Sequence, residues 1–120
     1  MRVLIVDDSK TARVMCKRVL PVSLQQDLVE AAGGQEALTV CRSQAIDLMF
    51  LDLTMPEMDG YQVLEILKSE GLAKPKVIVM SADVQPEAQE RIRKLGAVGF
   101  LPKPASQTAV DKFLRENGLL

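Results

Sequence analysis

Five short apolar runs, at residues 3–6, 28–32, 48–51, 77–80 and 98–101, recur along the chain with gaps that each leave room for one helix. Glycine, proline or acidic residues bound them, and their apolar character is close to continuous rather than alternating. Such runs read as strands buried on both faces. Between them the apolar period lengthens. Ala12, Met15, Cys16, Val19 and Leu20 fall at i, i+3, i+4, i+7 and i+8, and Gly60, Val63, Leu64 and Leu67 follow the same spacing through i+7. Both sets make one-sided helical stripes. Ala88, Ile92 and Leu95 behind Pro86 make another, Ala109, Val110, Phe113 and Leu114 a further one, and residues 35–42 a shorter and weaker helix. Asp8 or Ser9 is placed to cap the first helix and Asp59 the helix at Gly60.

Strand and helix thus alternate five times in 120 residues. Parallel strands need a crossover between them, and right-handed crossovers put helices on both faces of one parallel sheet. No linker, repeat or low-complexity tract divides the chain, so a single domain is expected.

The residue types that are absent exclude several chemistries. With no histidine there is no Ser-His-Asp triad, no Cys-His nucleophile, no His-ligated zinc and no phosphohistidine carrier. Cys16 and Cys41 are too far apart for a CxxC pair and read as reduced thiols. The balance of 15 basic against 16 acidic residues offers no field for nucleic acid. No apolar run is long enough for a signal core or a membrane span, and a cytoplasmic protein is expected.

In an open parallel sheet, ligands bind beyond the carboxyl ends of the strands. There the chain places Asp7 and Asp8 after the first run, Asp52 after the third, Ser81 after the fourth and Lys103 after the fifth, while the second run ends in residues 31–34 with no chemistry. Any one of these alone would be a cap or a solvated loop charge. Together they bring three carboxylates and one ammonium to one sheet edge. Two carboxylates about 4 Å apart repel by roughly 4 kcal/mol at an effective dielectric of 20. Such a cluster wants a divalent cation, and all-oxygen ligands suit Mg²⁺ better than zinc. An Asp can also act as a nucleophile toward phosphorus, with a metal and a Lys neutralising the phosphoryl oxygens.

These residues resemble the receiver domain of two-component response regulators, over essentially the whole chain and close to the stand-alone chemotaxis type. The stretch FLDLTMPEMDG at residues 50–60 matches the signature D-x-x-M-P-x-M-D-G throughout, and Asp7-Asp8, Ser81-Ala82 and Lys103-Pro104 match independently. The resemblance implies a flavodoxin-like (βα)5 doubly wound sheet in the order 2-1-3-4-5, a single receiver domain over residues 1–120 and no output domain. It implies Asp52 as phosphoacceptor, Asp8 as a direct Mg²⁺ ligand, Asp7 as a ligand largely through water, and Asp52 and the Thr54 backbone carbonyl as further ligands. Ser81 and Lys103 would hold the phosphoryl group, Ala82 would leave its entrance open, and the Lys103-Pro104 bond would be cis. Ser81 and Phe100 would form the switch. Ser81 stands in place of the commoner Thr, and Phe100 where the chemotaxis protein has Tyr; Thr54 and Asp83 occupy positions that tune phosphoryl lifetime.

The partners so implied are a histidine kinase as phosphodonor and a downstream protein at the face of helix four, strand five and helix five. The protein would catalyse only its own phosphorylation and dephosphorylation. A pseudo-receiver that only binds a partner is one alternative. A haloacid dehalogenase-type phosphohydrolase is another, disfavoured because Thr54 stands where its second Asp would be. Met55, Met58 and Tyr61 read as packing residues before partner contacts, and Glu87 with Arg91 and Glu90 with Lys94 as i, i+4 pairs on a solvated helix face.

Overall fold

Alternate residues of each central strand bury into opposite cores, and that division fixes where every helix must lie. The computed structural model describes residues 1–72, 75–83 and 85–120. The elements are β1 (Val3–Val6), α1 (Lys10–Val19), β2 (Leu28–Ala31), α2 (Gly34–Ser43), β3 (Leu48–Leu51), α3 (Gly60–Glu70), β4 (Lys76–Ser81), α4 (Pro86–Lys94), β5 (Gly99–Pro102) and α5 (Gln107–Glu116). They form one five-stranded sheet in the order β2-β1-β3-β4-β5, and every neighbouring pair is parallel. The doubly wound expectation and its strand order hold.

Leu4, Val6, Met49, Leu51, Val77 and Val79 point to one side, where they meet Ala37 and Leu38 of α2, Val63, Leu64 and Leu67 of α3, and Ile92 of α4. Val3, Ile5, Leu48, Phe50, Ile78 and Met80 point to the other, against Cys16 and Leu20 from α1 and Val110 and Leu114 of α5. Both faces of β1 and β3 are therefore buried, which is why their sequences do not alternate. Each fully buried Leu, Val or Phe contributes about 1.5–3 kcal/mol relative to exposure. β2 is an edge strand, with Leu28 and Val29 half-buried and Glu30 exposed.

Local chemistry sets the helix starts. Ser9 caps α1 and Ser106 caps α5, each accepting an N–H three residues on. Asp59 and Gln62 make a reciprocal capping box at α3. Two expectations change. Met15 belongs to the α1 stripe but is 51% exposed, because α5 covers only part of that face and leaves Met15 at the rim of a cavity. Arg91 does not pair with Glu87; it reaches across to α3, 3.5 Å from Glu65, and stacks 4.0 Å over the Tyr61 ring. A cation over an aromatic face and a carboxylate on a second helix compete well with a solvated i, i+4 pair. The Glu90–Lys94 pair is present at 3.6 Å. Met55 is buried and Met58 and Tyr61 pack on the same core, in keeping with packing roles.

Gly60 is required by close approach. A Cβ there would lie 2.5 Å from the Asp52 carbonyl oxygen and 2.9 Å from Leu53 Cα, while the Gly60 N–H donates to the Leu53 carbonyl at 3.0 Å. The start of α3 is thus seated directly on the loop that follows β3. Gly60→Ala is expected to destabilise the fold by roughly 1–3 kcal/mol in urea denaturation, the usual cost of overpacking; an unchanged midpoint would show that this loop yields easily.

Candidate functional site

Because all five strands run the same way, their C-terminal ends share one edge, and the backbone ladder fixes what stands there. Asp7 follows β1, and its N–H donates to the Ala31 carbonyl at 3.2 Å; Asp52 follows β3, and its N–H donates to the Val6 carbonyl at 3.1 Å. Ser81 is the last residue of β4, and the N–H of Lys103, just past β5, donates to its carbonyl at 2.9 Å. The candidate side chains hang from continuations of the sheet rather than from free loops. Asp7, Asp52 and Ser81 are buried, whereas Asp8 is exposed.

The Lys103 ammonium ties the edge together. Its Nζ lies 2.5 Å from Asp7 Oδ2 and 3.4 Å from Asp52 Oδ1. Asp7 Oδ1 accepts the Ser9 N–H at 3.0 Å, and Asp52 Oδ1 accepts the Thr54 N–H at 3.4 Å. One carboxylate oxygen from each of Asp7, Asp8 and Asp52 lies within 4.8 Å of the others. Three carboxylates facing one ammonium leave an excess of negative charge, and this all-oxygen set is compatible with a hard divalent cation.

Burial, the largest influence, pushes the Asp52 carboxyl above its ordinary value; the Asp7 charge pushes the same way, while Lys103 and the Thr54 N–H pull it down. For Lys103 burial favours the neutral amine, but the hydrogen bond to Asp7 and the charges of Asp52 and Asp7 outweigh it and hold the ammonium above its ordinary value. Lys103 therefore stays cationic at neutral pH.

Around this centre, Ser81 Oγ accepts the Asp83 N–H at 3.1 Å, shaping the start of the loop after β4. Thr54, Ala82 and Asp83 are exposed at the rim. Phe100 lies in register with Val79, half-buried against the core under α3 and α4. The Lys103-Pro104 peptide is cis. The carboxylates open onto a cavity of about 360 Å³ walled by Ile5, Met15, Val19, Phe50, Met80 and Ala105. Cys16 also lines it, its thiol pushed up to about 12 mainly by burial and hence unreactive.

Sequence reasoning missed a contribution from β2. Arg13 Nη1 donates to the Asp7 carbonyl at 2.7 Å while its Nε donates to Glu30 Oε1 at 3.0 Å, and Lys17 holds the other Glu30 oxygen at 3.0 Å. The available signal was a lone Glu in an apolar strand, with two cations four residues apart on the neighbouring helix.

The sign of the Asp52 effect is testable. A carboxyl whose pKa is raised by folding binds its proton more tightly in the native state, so stability is lost as pH rises from the ordinary value of 3.8 through the raised one. In metal-free buffer at pH 7, Asp52→Asn is expected to melt at a higher temperature than wild type, with the gain shrinking as pH falls toward 3.8. Equal melting at both pH values would mean that the buried charge is fully compensated.

The response regulator receiver domain model matches residues 3–115. The chemotaxis protein CheY of Thermotoga maritima is 35% identical over 116 residues, covering 96% of this chain and 95% of that protein. The sensory/regulatory protein RpfC of Xanthomonas campestris is 33% identical over 107 residues, but the chain spans only 15% of its length. Among solved structures, CheY in a complex with CheX, BeF3 and Mg from Borrelia burgdorferi superposes with a TM-score of 0.85 at 29% identity, covering 97% of this chain and 87% of that one. CheY4 of Vibrio cholerae gives 0.84 at 27% identity, with 96% of each chain covered. The chain belongs to the response regulator receiver domain family.

Proposed function

We propose that this receiver domain takes a phosphoryl group from a histidine kinase onto Asp52 and uses it to change partner binding. The observation that carries the reading is the meeting of Asp52, Lys103 at 3.4 Å and the Asp7–Asp8 pair at one sheet edge. An Asp52 carboxylate oxygen attacks phosphorus in line, a new P–O bond forms, and the electron pair of the breaking P–N bond leaves with the donor imidazole. Lys103 then exchanges part of its pairing with Asp7 for a phosphoryl oxygen, and the Ser81 hydroxyl donates to another.

The three carboxylates fit Mg²⁺: the donors are all oxygen, few, and repel one another in its absence; the Thr54 carbonyl is a further ligand in this reading. When bound, the cation neutralises charge on the transferring phosphoryl group. Asp8 and Asp52 are the direct carboxylate ligands in this reading, and Asp7, already engaged by Lys103 and Ser9, acts through water. Phosphorylation draws Ser81 and the start of the following loop toward Asp52, and half-buried Phe100 moves into the space released. The altered surface is the face of α4, β5 and α5, where a downstream protein binds. The setting is the cytoplasm; among the described residues no helix is long and apolar enough to cross a membrane.

Intact mass after incubation with a small acyl phosphate tests this. One phosphoryl group is expected on the wild type with Mg²⁺ and none without it or in Asp52→Asn, while Lys103→Ala is slowed by about 10²-fold, the usual loss on removing one charge-stabilising donor. A wild type that gains nothing on rapid quenching would make the protein a pseudo-receiver.

A further inference from the structure

We infer that Arg13 is a positioning residue for the cation site, acting through the Asp7–Asp8 peptide. The inference rests on the Mg²⁺ reading above. Its side chain is 14% exposed and bridges two structures: Nε is anchored on Glu30 of β2 and Nη1 donates to the Asp7 carbonyl oxygen at 2.7 Å. That carbonyl belongs to the peptide joining Asp7 to Asp8. A peptide is planar, so fixing the direction of its C=O also fixes where the Asp8 N–H and Cα lie. Asp8 is the exposed member of the acidic cluster, and Asp7 is held besides by Ser9, Lys103 and the ladder bond to Ala31. The planar guanidinium supplies two donors in a rigid fork, which lets one side chain hold a strand carboxylate and a loop carbonyl together. Glu30, pinned from its other oxygen by Lys17, keeps that fork from swinging into solvent.

Charge and position make opposite predictions. As a cation near three carboxylates, Arg13 disfavours a second cation, and its removal would tighten Mg²⁺ binding. As a positioning group it preorganises Asp8, and its removal loosens binding. Calorimetric titration of Mg²⁺ at constant ionic strength separates the two. Arg13→Ala is expected to weaken binding at least fivefold and Arg13→Lys, which keeps the charge and loses the fork, at least twofold. Lys10→Ala, removing an exposed cation at the start of α1 two residues from Asp8, is expected to leave affinity unchanged or slightly tighter. The Mg²⁺ concentration giving half-maximal phosphorylation by acyl phosphate should rise in step, with the rate at saturating Mg²⁺ unchanged. Should Arg13→Ala bind more tightly than wild type and Arg13→Lys equally, Arg13 acts as a charge alone and the inference fails. If Arg13→Ala does not fold, Arg13→Lys carries the decision by itself. A wild type that binds no Mg²⁺ removes the underlying reading and this inference with it, whereas normal wild-type binding with indifferent variants removes only the inference.

Discussion

One ammonium group reconciles the parts of this protein that the chain would otherwise drive apart. A parallel sheet gathers all its strand ends at one edge, and here two of those ends, after β1 and β3, bring three carboxylates into the same few ångströms. Lys103, from the opposite side of the sheet, bridges Asp7 and Asp52 and so couples β5 to β1 and β3 through a charge pair rather than a backbone ladder. It does not complete the compensation. Burial still pushes the Asp52 carboxyl up, against the pull of Lys103. A partly compensated buried charge is costly to a resting fold and useful to a switch, because any group that neutralises it gains the energy that the fold has left unclaimed.

The two-sided core explains how such an edge is held firmly. Neighbouring residues of β1 and β3 are anchored in different layers, one under α2, α3 and α4 and the other under α1 and α5. Asp7 and Asp52 thus emerge from segments immobilised on both faces. The surroundings are less constrained. Ala82 and Asp83 are exposed, Phe100 is only half-buried, and α4 is joined to α3 by the exposed contacts of Arg91 with Glu65 and Tyr61. Firmly anchored carboxylates beside a more exposed rim are the division of labour that the proposed switch would use.

The architecture was legible because its signals are local and redundant: continuous apolar runs for doubly buried strands, 3.6-residue stripes for helices, and Asp59 as the cap at the α3 start. The site was legible because parallel topology converts sequence position, just after a strand, into spatial proximity, so Asp7, Asp52, Ser81 and Lys103 could be grouped before any geometry was known. What was not legible depended on tertiary choice. Arg91 had a plausible partner in Glu87 at i, i+4 and took Glu65 and Tyr61, which only helix packing brings near. Nothing in the spacing reveals that the Arg13 guanidinium spans the β1–α1 loop and Glu30 of β2. Met15 kept its helical phase but lost its cover because α5 reaches only part of α1.

The central claim is that the acidic edge holds a divalent cation and that this relieves repulsion built into the fold. The direct measurement is the melting temperature of the apo protein as Mg²⁺ is added against a monovalent salt of matched ionic strength, in wild type and Asp8→Asn. Binding to the native state alone raises stability in proportion to the logarithm of ligand concentration above Kd. The account predicts a saturation-free rise with Mg²⁺ in the wild type, beyond that of the monovalent salt, and a much smaller one in Asp8→Asn. Superimposable curves for Mg²⁺ and monovalent salt in the wild type would contradict it.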